Sequence, residues 1–299
     1  MLSLIICIGL TSLLFVVFKY YQIFNIPTFQ AVVFNYITCG ICGLLFTPQA
    51  DITQTFETLD WLPYSAILGS MFIGTFFLMA ITAQKLGMTI SATASKISMV
   101  IPICFALFLL NKADSFNWIN ICGVLLAIPT LILTSYNKSE HQKFEKKYLF
   151  LVPVVFFLSG GVDSMLNFVN SEFGTPSFQK AFPTITFFIA AFIGISILLF
   201  QYVKHHKKIE LKAIIGGIAL GIPNYFSIYF LFKALSHFDE NGAVLFPLTH
   251  IGGILLSMLL GFVLFKEKLR LFNYLGVAFA LATIYLVAYQ HIIVYFGNA

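Results

Sequence analysis

Residues 91–102 read Ser-Ala-Thr-Ala-Ser-Lys-Ile-Ser-Met-Val-Ile-Pro and lie inside an apolar segment that extends from Met88 to Leu110. A segment of this length and polarity is typical of a membrane-spanning helix. Its lysine, Lys96, lies about 12 Å along such a helix, near the middle of a hydrocarbon layer about 30 Å thick. A cation at this depth is costly unless it faces water or a partner, which makes Lys96 a candidate functional residue. The alternative is a structural lysine held by a carboxylate or by backbone carbonyls.

The composition predicts a polytopic membrane protein. Of the 299 residues, 59% are hydrophobic and only 10% are charged, whereas a soluble domain carries about 25% charged residues. The first apolar run, residues 1–18, has no basic flank and no cleavage site, which predicts a transmembrane helix rather than a signal peptide. The formal net charge of +5 comes from basic residues in the loops, so it indicates membrane orientation and not nucleic-acid binding.

The apolar segments predict an all-α fold with ten transmembrane helices. The expected spans are 1–19, 28–48, 62–83, 88–110, 117–135, 148–171, 180–203, 211–234, 241–265 and 272–295. The charged stretch 136–147 falls at the midpoint of the chain. It reads as a linker between a first five-helix repeat, residues 1–135, and a second, residues 148–299.

Two local matches indicate that the halves repeat. Residues 67–74 (Ile-Leu-Gly-Ser-Met-Phe-Ile-Gly) match residues 214–221 (Ile-Ile-Gly-Gly-Ile-Ala-Leu-Gly), and residues 114–124 match residues 267–277. Because each half has an odd number of spans, two like halves joined directly must lie inverted in the membrane. Inverted repeats are typical of secondary transporters, whose substrate sites lie near the midplane.

Small residues and prolines predict close helix contacts and kinks. Gly217 and Gly221 have the spacing that lets two helix backbones approach closely. A proline inside a helix bends it and frees a carbonyl. Such prolines lie within four of the expected spans, at Pro102, Pro129, Pro223 and Pro247.

The candidate site is polar and lies at midplane depth. The second repeat match places Lys96 opposite Thr249, beside His250. The intramembrane acid is Asp163, which shares a helix face with Ser159 and Asn167 at spacings of four residues. Asp163 is a candidate for substrate binding and for proton coupling. The alternatives are a structural ion pair between Asp163 and Lys96, and a hydrogen-bonded packing role for His250.

Three further residues, Asn35, Asn224 and Tyr225, lie within the second and eighth spans and are candidates for hydrogen bonds to a substrate. For each of them alone, hydrogen bonding between helices is the competing interpretation. Cys39 and Cys42 have the C-x-x-C spacing, but inside an apolar span they read as small packing residues.

The sequence contains no motif of a known enzyme class. It has neither H-E-x-x-H nor G-x-S-x-G, and it has no G-x-x-x-x-G-K-[ST] loop for ATP. The pair His205–His206 lies in a basic loop and reads as solvated charge rather than as a metal site. We therefore expect a protein that is not an enzyme and that uses neither a metal nor another cofactor.

Residues 264–277, Leu-Phe-Lys-Glu-Lys-Leu-Arg-Leu-Phe-Asn-Tyr-Leu-Gly-Val, resemble the G-E-x-[LP]-x-x-x-x-x-x-G signature of the drug/metabolite transporter superfamily, EamA type. Lys266 replaces the usual glycine. Residues 232–235 (Phe-Lys-Ala-Leu) resemble the pattern that closes the eighth helix of the family. The first-half copy of the signature is degenerate at Lys112-Ala113-Asp114.

The resemblance, which covers nearly the whole chain, implies a carrier for small metabolites such as amino acids, nucleotide sugars, sugar phosphates or drugs. It places Lys96, Asp163 and His250 on helices that line the cavity of the family. Small proton-coupled members carry an acid on the helix equivalent to that of Asp163.

We therefore expect a secondary transporter that moves a small polar or charged metabolite by alternating access. The alternative is a membrane protein that does not transport, either an intramembrane enzyme or a sensor. We expect a multi-pass protein of the bacterial inner membrane with lipid and a small-molecule substrate as partners. Apart from Lys96, thirteen basic residues fall in the odd connections and three in the even ones. The charge rule therefore predicts that both termini face out, whereas the resemblance implies cytoplasmic termini.

Overall fold

A computed structural model of the protein describes residues 2–102, 118–135, 146–206, 208–235, 242–267, 269 and 271–297. Every regular element in these ranges is helical. The eleven α-helices of this part of the chain are α1 (Leu2–Ile23), α2 (Thr28–Phe46), α3 (Gln49–Thr55), α4 (Leu62–Leu86), α5 (Met88–Ile97), α6 (Trp118–Ser135), α7 (Leu151–Phe173), α8 (Pro176–His205), α9 (Leu211–Leu235), α10 (Gly242–Phe265) and α11 (Leu271–Gly297). A single 3₁₀ turn, Lys146–Tyr148, precedes α7.

Eight of these helices are long and apolar enough to cross a membrane, namely α1, α2, α4 and α7–α11. Large apolar side chains on their outer faces remain exposed, as Phe157 (67%), Phe192 (72%) and Phe262 (61%) illustrate. A bundle that leaves such side chains on its surface needs a lipid environment. The chain is a multi-pass integral membrane protein.

The other two expected spans correspond only in part to helices of the described chain. The span expected at 117–135 corresponds to α6, whose apolar part is shorter than those of the eight. The span expected at 88–110 begins with α5, which ends at Ile97. Its residues 103–110 lie outside the described residues, as do most of the linker 136–147 and Asp114.

The short helix α3 occupies the connection that the sequence predicts to be a polar gap between the second and third spans. The fully buried Trp61 closes this connection. Its indole Nε1 donates to the carbonyls of Thr55 and Thr58 at 2.9 and 2.7 Å, and its ring packs on Phe178 and Phe182 of α8. The indole thus fixes α3 against α8 at one end of the bundle.

The bundle has two distinct ends. At the first, which we term the basic end, Lys19 approaches Glu267 and Lys85 lies over the ring of Tyr148. At the second, which we term the α3 end, α3 packs against α8, and the ammonium of Lys180 lies 3.5 Å from a carboxylate oxygen of Asp51.

The helix α5 is central, because it contacts α1, α4, α6, α7, α10 and α11. Its α-helical hydrogen bonds stop at Ile97, and a turn at Ser98–Met99 separates it from helical residues 100–102. Pro102 explains the interruption, because proline lacks the N–H that would bond the Ser98 carbonyl, and its ring clashes with that carbonyl. Instead, the Ile101 amide donates to this carbonyl at 2.9 Å. The central helix is therefore broken one residue after Lys96.

Helices α2 and α9 pack closely through Gly217 and Gly221. A Cβ atom at Gly221 would lie 2.5 Å from the Thr38 Cβ and 2.7 Å from the Asn35 carbonyl oxygen, and one at Gly217 would meet the Phe34 Cβ. The backbones therefore lie closer than any side chain at these two positions permits, as the glycine spacing predicts.

We expect Gly221→Ala to destabilise the bundle by about 1–3 kcal/mol, because the added methyl group must push α2 and α9 apart. Thermal unfolding of the purified protein measures the effect. Gly74→Ala is the matched control, because a Cβ there meets no atom within 4 Å, and this variant will be neutral or slightly stabilised. Equal midpoints for the two variants would contradict the close contact.

Candidate functional site

The start of α5 is held by a residue from the other half of the chain. The carboxylate of Glu267 accepts a hydrogen bond from the Met88 amide at 2.8 Å, from the Thr89 hydroxyl at 3.1 Å and from the Thr89 amide at 3.4 Å. The Lys19 ammonium lies 3.9 Å from the same carboxylate. A carboxylate at a helix N-terminus satisfies free N–H groups and complements the helix dipole. Glu267 thus fixes the position of the helix that carries Lys96.

The turn into α5 depends on Gly87, which alone separates α4 from α5. Its φ of 109° is a conformation that side chains disfavour. A Cβ there would also lie 3.1 Å from an oxygen of Glu267. The missing side chain therefore lets the carboxylate reach the helix start.

Lys96 extends from the last turn of α5 across the surface of α10. Its Cε atom would lie 3.3 Å from a Cβ at Gly253, so the absent side chain of this glycine makes room for the lysine. Lys96 is half-buried although six helices surround α5. It interacts electrostatically with three side chains from three other helices, Cys7, Asp163 and His250.

Asp163 lies on α7, which packs directly on α5. One turn before it, the Ser159 hydroxyl donates to the Ser95 hydroxyl at 3.3 Å. Among the ion pairs of the described residues, none joins Lys96 to Asp163, so the ammonium and the carboxylate are more than 4.0 Å apart. Asn167, the third member of the polar face, is exposed and lies one turn further along α7.

His250 lies on α10 and, like Asp163, is within electrostatic range of Lys96. We term these three residues the Lys96 triangle. The preceding Thr249 satisfies its own hydroxyl by donating to the Leu245 carbonyl at 2.9 Å. His250 Nδ1, in contrast, is buried and has no hydrogen-bond partner among the described groups. A buried polar atom without a partner is costly, and a ligand is one way to satisfy it.

The structure does not bring the other predicted residues to this triangle. Asn224 Nδ2 donates to Asn35 Oδ1 at 3.2 Å within the α2–α9 contact, and both amides are almost completely buried, at 3% and 0% exposure. This pair links two helices, which is the competing interpretation of these two residues. Tyr225 lies next to Asn224 on α9 and lines a cleft with Thr47 near the α3 end.

Two contributions were not predicted from the sequence. The cap that Glu267 provides joins residues 179 positions apart, and the contact of Lys96 with Gly253 joins the two halves of the chain. In the sequence, the cap is signalled by Glu267, an acid within an otherwise basic connection. The contact with Lys96 is signalled by the adjacent glycines at 252–253. Within the described ranges, no group of three or more His, Cys, Asp or Glu side chains is placed to hold a metal ion.

The chain is similar over most of its length to a curated protein and to a solved structure. An uncharacterised protein of Haemophilus influenzae is 29% identical over 273 residues, which cover 89% of this chain and 90% of that relative. A crystal structure superposes with a TM-score of 0.58 at 13% identity and covers 97% of both chains, a likeness that shows the fold alone. No family model matches the chain.

Proposed function

We propose that the protein is a secondary transporter for a small zwitterionic or anionic metabolite, such as an amino acid, and that it binds its substrate among Lys96, Asp163 and His250. The observation that carries this proposal is the separation of Lys96 from Asp163. Two opposite charges that interact without touching leave room for a ligand that has both charges. The substrate carboxylate would bind Lys96, and its ammonium would bind Asp163.

His250 supports the same assignment, because its buried Nδ1 lacks a partner. The aliphatic part of Lys96 lies over Gly253 on the helix of His250, which keeps both side chains on one surface. Hydrogen-bonding and charged groups that converge inside a membrane bundle are typical of a substrate pathway.

The break in α5 supports alternating access. Discontinuous helices near the midplane are a recurring feature of transporter sites. Here the turn at Ser98–Met99 begins two residues after Lys96. A helix that is already interrupted at the site can tilt on one side of the break without losing the hydrogen bonds on the other side.

We further propose that the fold has ten spans arranged as two inverted five-helix repeats and belongs to the drug/metabolite transporter superfamily, EamA type. In this arrangement α6 and the continuation of α5 supply the two spans beyond the eight. The triangle would then lie between the repeats, because Lys96 belongs to the first half and Asp163 and His250 belong to the second. The capping acid Glu267 is also the acid of the signature that resembles this family.

The location we propose is the inner membrane of a bacterium, with the basic end in the cytoplasm. The similar protein from Haemophilus influenzae supports the first point, and the excess of basic residues in the odd connections supports the second. A reporter fused to the C-terminus tests the orientation, and a cytoplasmic signal would contradict it.

The first experiment is a thermal-shift screen of the purified protein against amino acids, carboxylates and sugar phosphates. A ligand that stabilises the wild type is then tested for uptake into sealed proteoliposomes. Saturable uptake of that ligand supports a carrier. Binding without uptake favours a sensor, and chemical conversion of the ligand favours an intramembrane enzyme, so both results contradict the proposal.

We expect Asp163→Asn to remove the response of uptake to a proton gradient and to weaken exchange of a zwitterionic ligand, whose ammonium loses its carboxylate partner. The amide keeps the shape of the side chain but cannot exchange a proton. Uptake and exchange in proteoliposomes, with and without an imposed pH difference, measure the effect. Asn167→Asp on the same face of α7 is the control for altered charge, and it will leave the gradient response in place. Unchanged coupling in Asp163→Asn would contradict the proton-carrying role.

A further inference from the structure

The helix α5 is bounded by an irregular junction at each end. Gly87, with its φ of 109°, is the single residue between α4 and α5. At the other end, the turn at Ser98–Met99 interrupts the helix after Ile97. Hinges in proteins are a few residues at the ends of an element that absorb a change of backbone angles. The ten residues of α5, Lys96 among them, therefore form a short rigid segment between two junctions of this kind.

A row of small residues on α10 packs against α5. A Cβ at Gly253 would lie 3.3 Å from Lys96 Cε, and a Cβ at Gly261 would lie 3.1 Å from the Thr89 hydroxyl. Ser257 falls midway between the two glycines, and residues spaced by four share one face of a helix. This face of α10 therefore follows α5 from Lys96 to the basic end. We term the contact between them the α5–α10 seam.

The hydroxyl of Ser257 is fully buried in the seam and has no hydrogen-bond partner among the described groups. A buried helical hydroxyl often donates to the carbonyl four residues earlier, as those of Thr93 and Thr249 do at 2.8 and 2.9 Å. For Ser257 that carbonyl belongs to Gly253, which accepts from the Ser12 hydroxyl of α1 at 3.4 Å. Because an unpaired buried hydroxyl costs free energy, Ser257 is poised to bond a polar group that enters the seam.

The Glu267 cap closes the seam at the basic end. The carboxylate follows α10 in the chain and accepts from the Met88 amide and the Thr89 hydroxyl at the start of α5. Lys19 of α1 lies 3.9 Å from the same carboxylate. Since α1, α5 and α10 also contact one another, the cap joins these three helices on the side of the Lys96 triangle that faces the basic end.

We propose that the α5–α10 seam is the route between the Lys96 triangle and the basic end, and that α5 swings away from α10 about its two junctions to open this route. Ser257 then donates a hydrogen bond to the substrate as it passes. The Glu267 cap must break when the seam opens. Small residues suit such a contact, because no long side chains have to be withdrawn before the helices separate. The substrate step rests on the proposed transport function, whereas the movement of α5 does not.

The first experiment measures access to position 257 and needs no ligand. The five native cysteines are replaced by serine or alanine, and S257C then introduces one thiol of similar size to the hydroxyl. The purified protein is treated with 2-aminoethyl methanethiosulfonate, and intact-protein mass spectrometry follows the labelling. We expect S257C to react about 10-fold faster when E267Q is added, because the loss of a charged hydrogen bond raises the open population by about this factor.

Two controls make the labelling result specific. Ser65 is as fully buried as Ser257 but bonds Thr186 in the contact between α4 and α8, so S65C will not respond to E267Q. E210Q removes an exposed acid that pairs with Lys212, and it will not accelerate S257C. Equal rates for S257C with and without E267Q would overturn the gate. An equal acceleration of S65C, or an acceleration by E210Q, would overturn it too. Thermal unfolding checks that each variant is folded.

The second experiment uses Ser257→Ala and the ligand found by the thermal-shift screen. We expect uptake to slow about 2- to 10-fold, because one hydrogen bond is lost on the route. Binding at equilibrium will stay the same, since Ser257 is not part of the Lys96 triangle, and the unfolding midpoint will stay the same or rise. Thr283→Val is the matched control, because it removes a buried hydroxyl on α11 that also lacks a partner, and it will leave uptake unchanged.

Normal uptake in Ser257→Ala, or an equal loss in Thr283→Val, would overturn the role of Ser257. If no ligand is transported by the wild type, the proposed function fails and the substrate step fails with it. The labelling rates of S257C would still decide whether α5 opens the seam, so the two failures are distinguishable.

Discussion

Lys96→Met will reduce uptake of the ligand to near background and will weaken its binding about 10- to 100-fold. A charged hydrogen bond in a desolvated site contributes about 1.5–3 kcal/mol, which corresponds to a factor of this size. Methionine keeps the length of the lysine stem that lies over Gly253 but carries no charge. Uptake into proteoliposomes and thermal-shift titration with the ligand measure the two effects.

The stability of Lys96→Met separates the functional from the structural interpretation of the lysine. No ion pair within 4.0 Å joins Lys96 to Asp163 in the described chain, so the variant breaks no direct charge contact there. Replacing this half-buried charge with an apolar side chain of similar size is then neutral or stabilising, and the unfolding midpoint will stay the same or rise. A lower midpoint together with normal uptake would make Lys96 a structural residue. Lys212→Met will change neither quantity.

Glu267→Ala will destabilise the protein by about 2–4 kcal/mol and lower its unfolding midpoint by roughly 5–12 °C. In this variant the amides of Met88 and Thr89 lose the carboxylate that accepts a hydrogen bond from each of them. Because α5 also carries Lys96, ligand binding will weaken in the same variant. Thermal unfolding with and without the ligand measures both changes.

Two comparisons make the Glu267 result specific. Glu267→Gln keeps one acceptor oxygen and will lose less stability than Glu267→Ala. Glu210→Ala removes an exposed carboxylate that pairs with Lys212 at 3.0 Å, and such a loss costs at most about 1 kcal/mol. If Glu210→Ala and Glu267→Ala unfold at the same temperature, the cap does not contribute as the geometry indicates.

The apolar runs of the sequence predict where most helices lie, because burial in lipid is encoded in composition alone. The spans expected at 62–83 and 211–234 agree closely with α4 and α9. Helix ends are set by local chemistry instead. The seventh span begins at Pro176 rather than 180, because the Thr175 hydroxyl accepts from the Phe178 amide at 3.2 Å and caps the helix. The polar helix α3 was not predicted, because seven residues are too few to show the apolar spacing of a helix.

The sequence predicts how far along its helix each polar residue lies. It does not predict which neighbouring helix that residue faces. Depth and charge single out Lys96, Asp163 and His250, and the structure sets Asp163 and His250 each within electrostatic range of Lys96. The same reasoning also selected Asn35 and Asn224, which bond each other between α2 and α9. Hydrophobic periodicity cannot tell these cases apart in a helix that is apolar on every side, because the partner helix is unknown until the bundle is assembled.

The Glu267 cap also bears on the order in which the protein matures. Synthesis proceeds from the N-terminus, so α5 enters the membrane long before the carboxylate that holds its first turn, which lies 179 residues further along the chain. Until the loop after α10 has been made, the amides of Met88 and Thr89 have no such acceptor. The first turn of α5, the helix that carries Lys96, therefore stays without this cap until nearly the whole chain has been made.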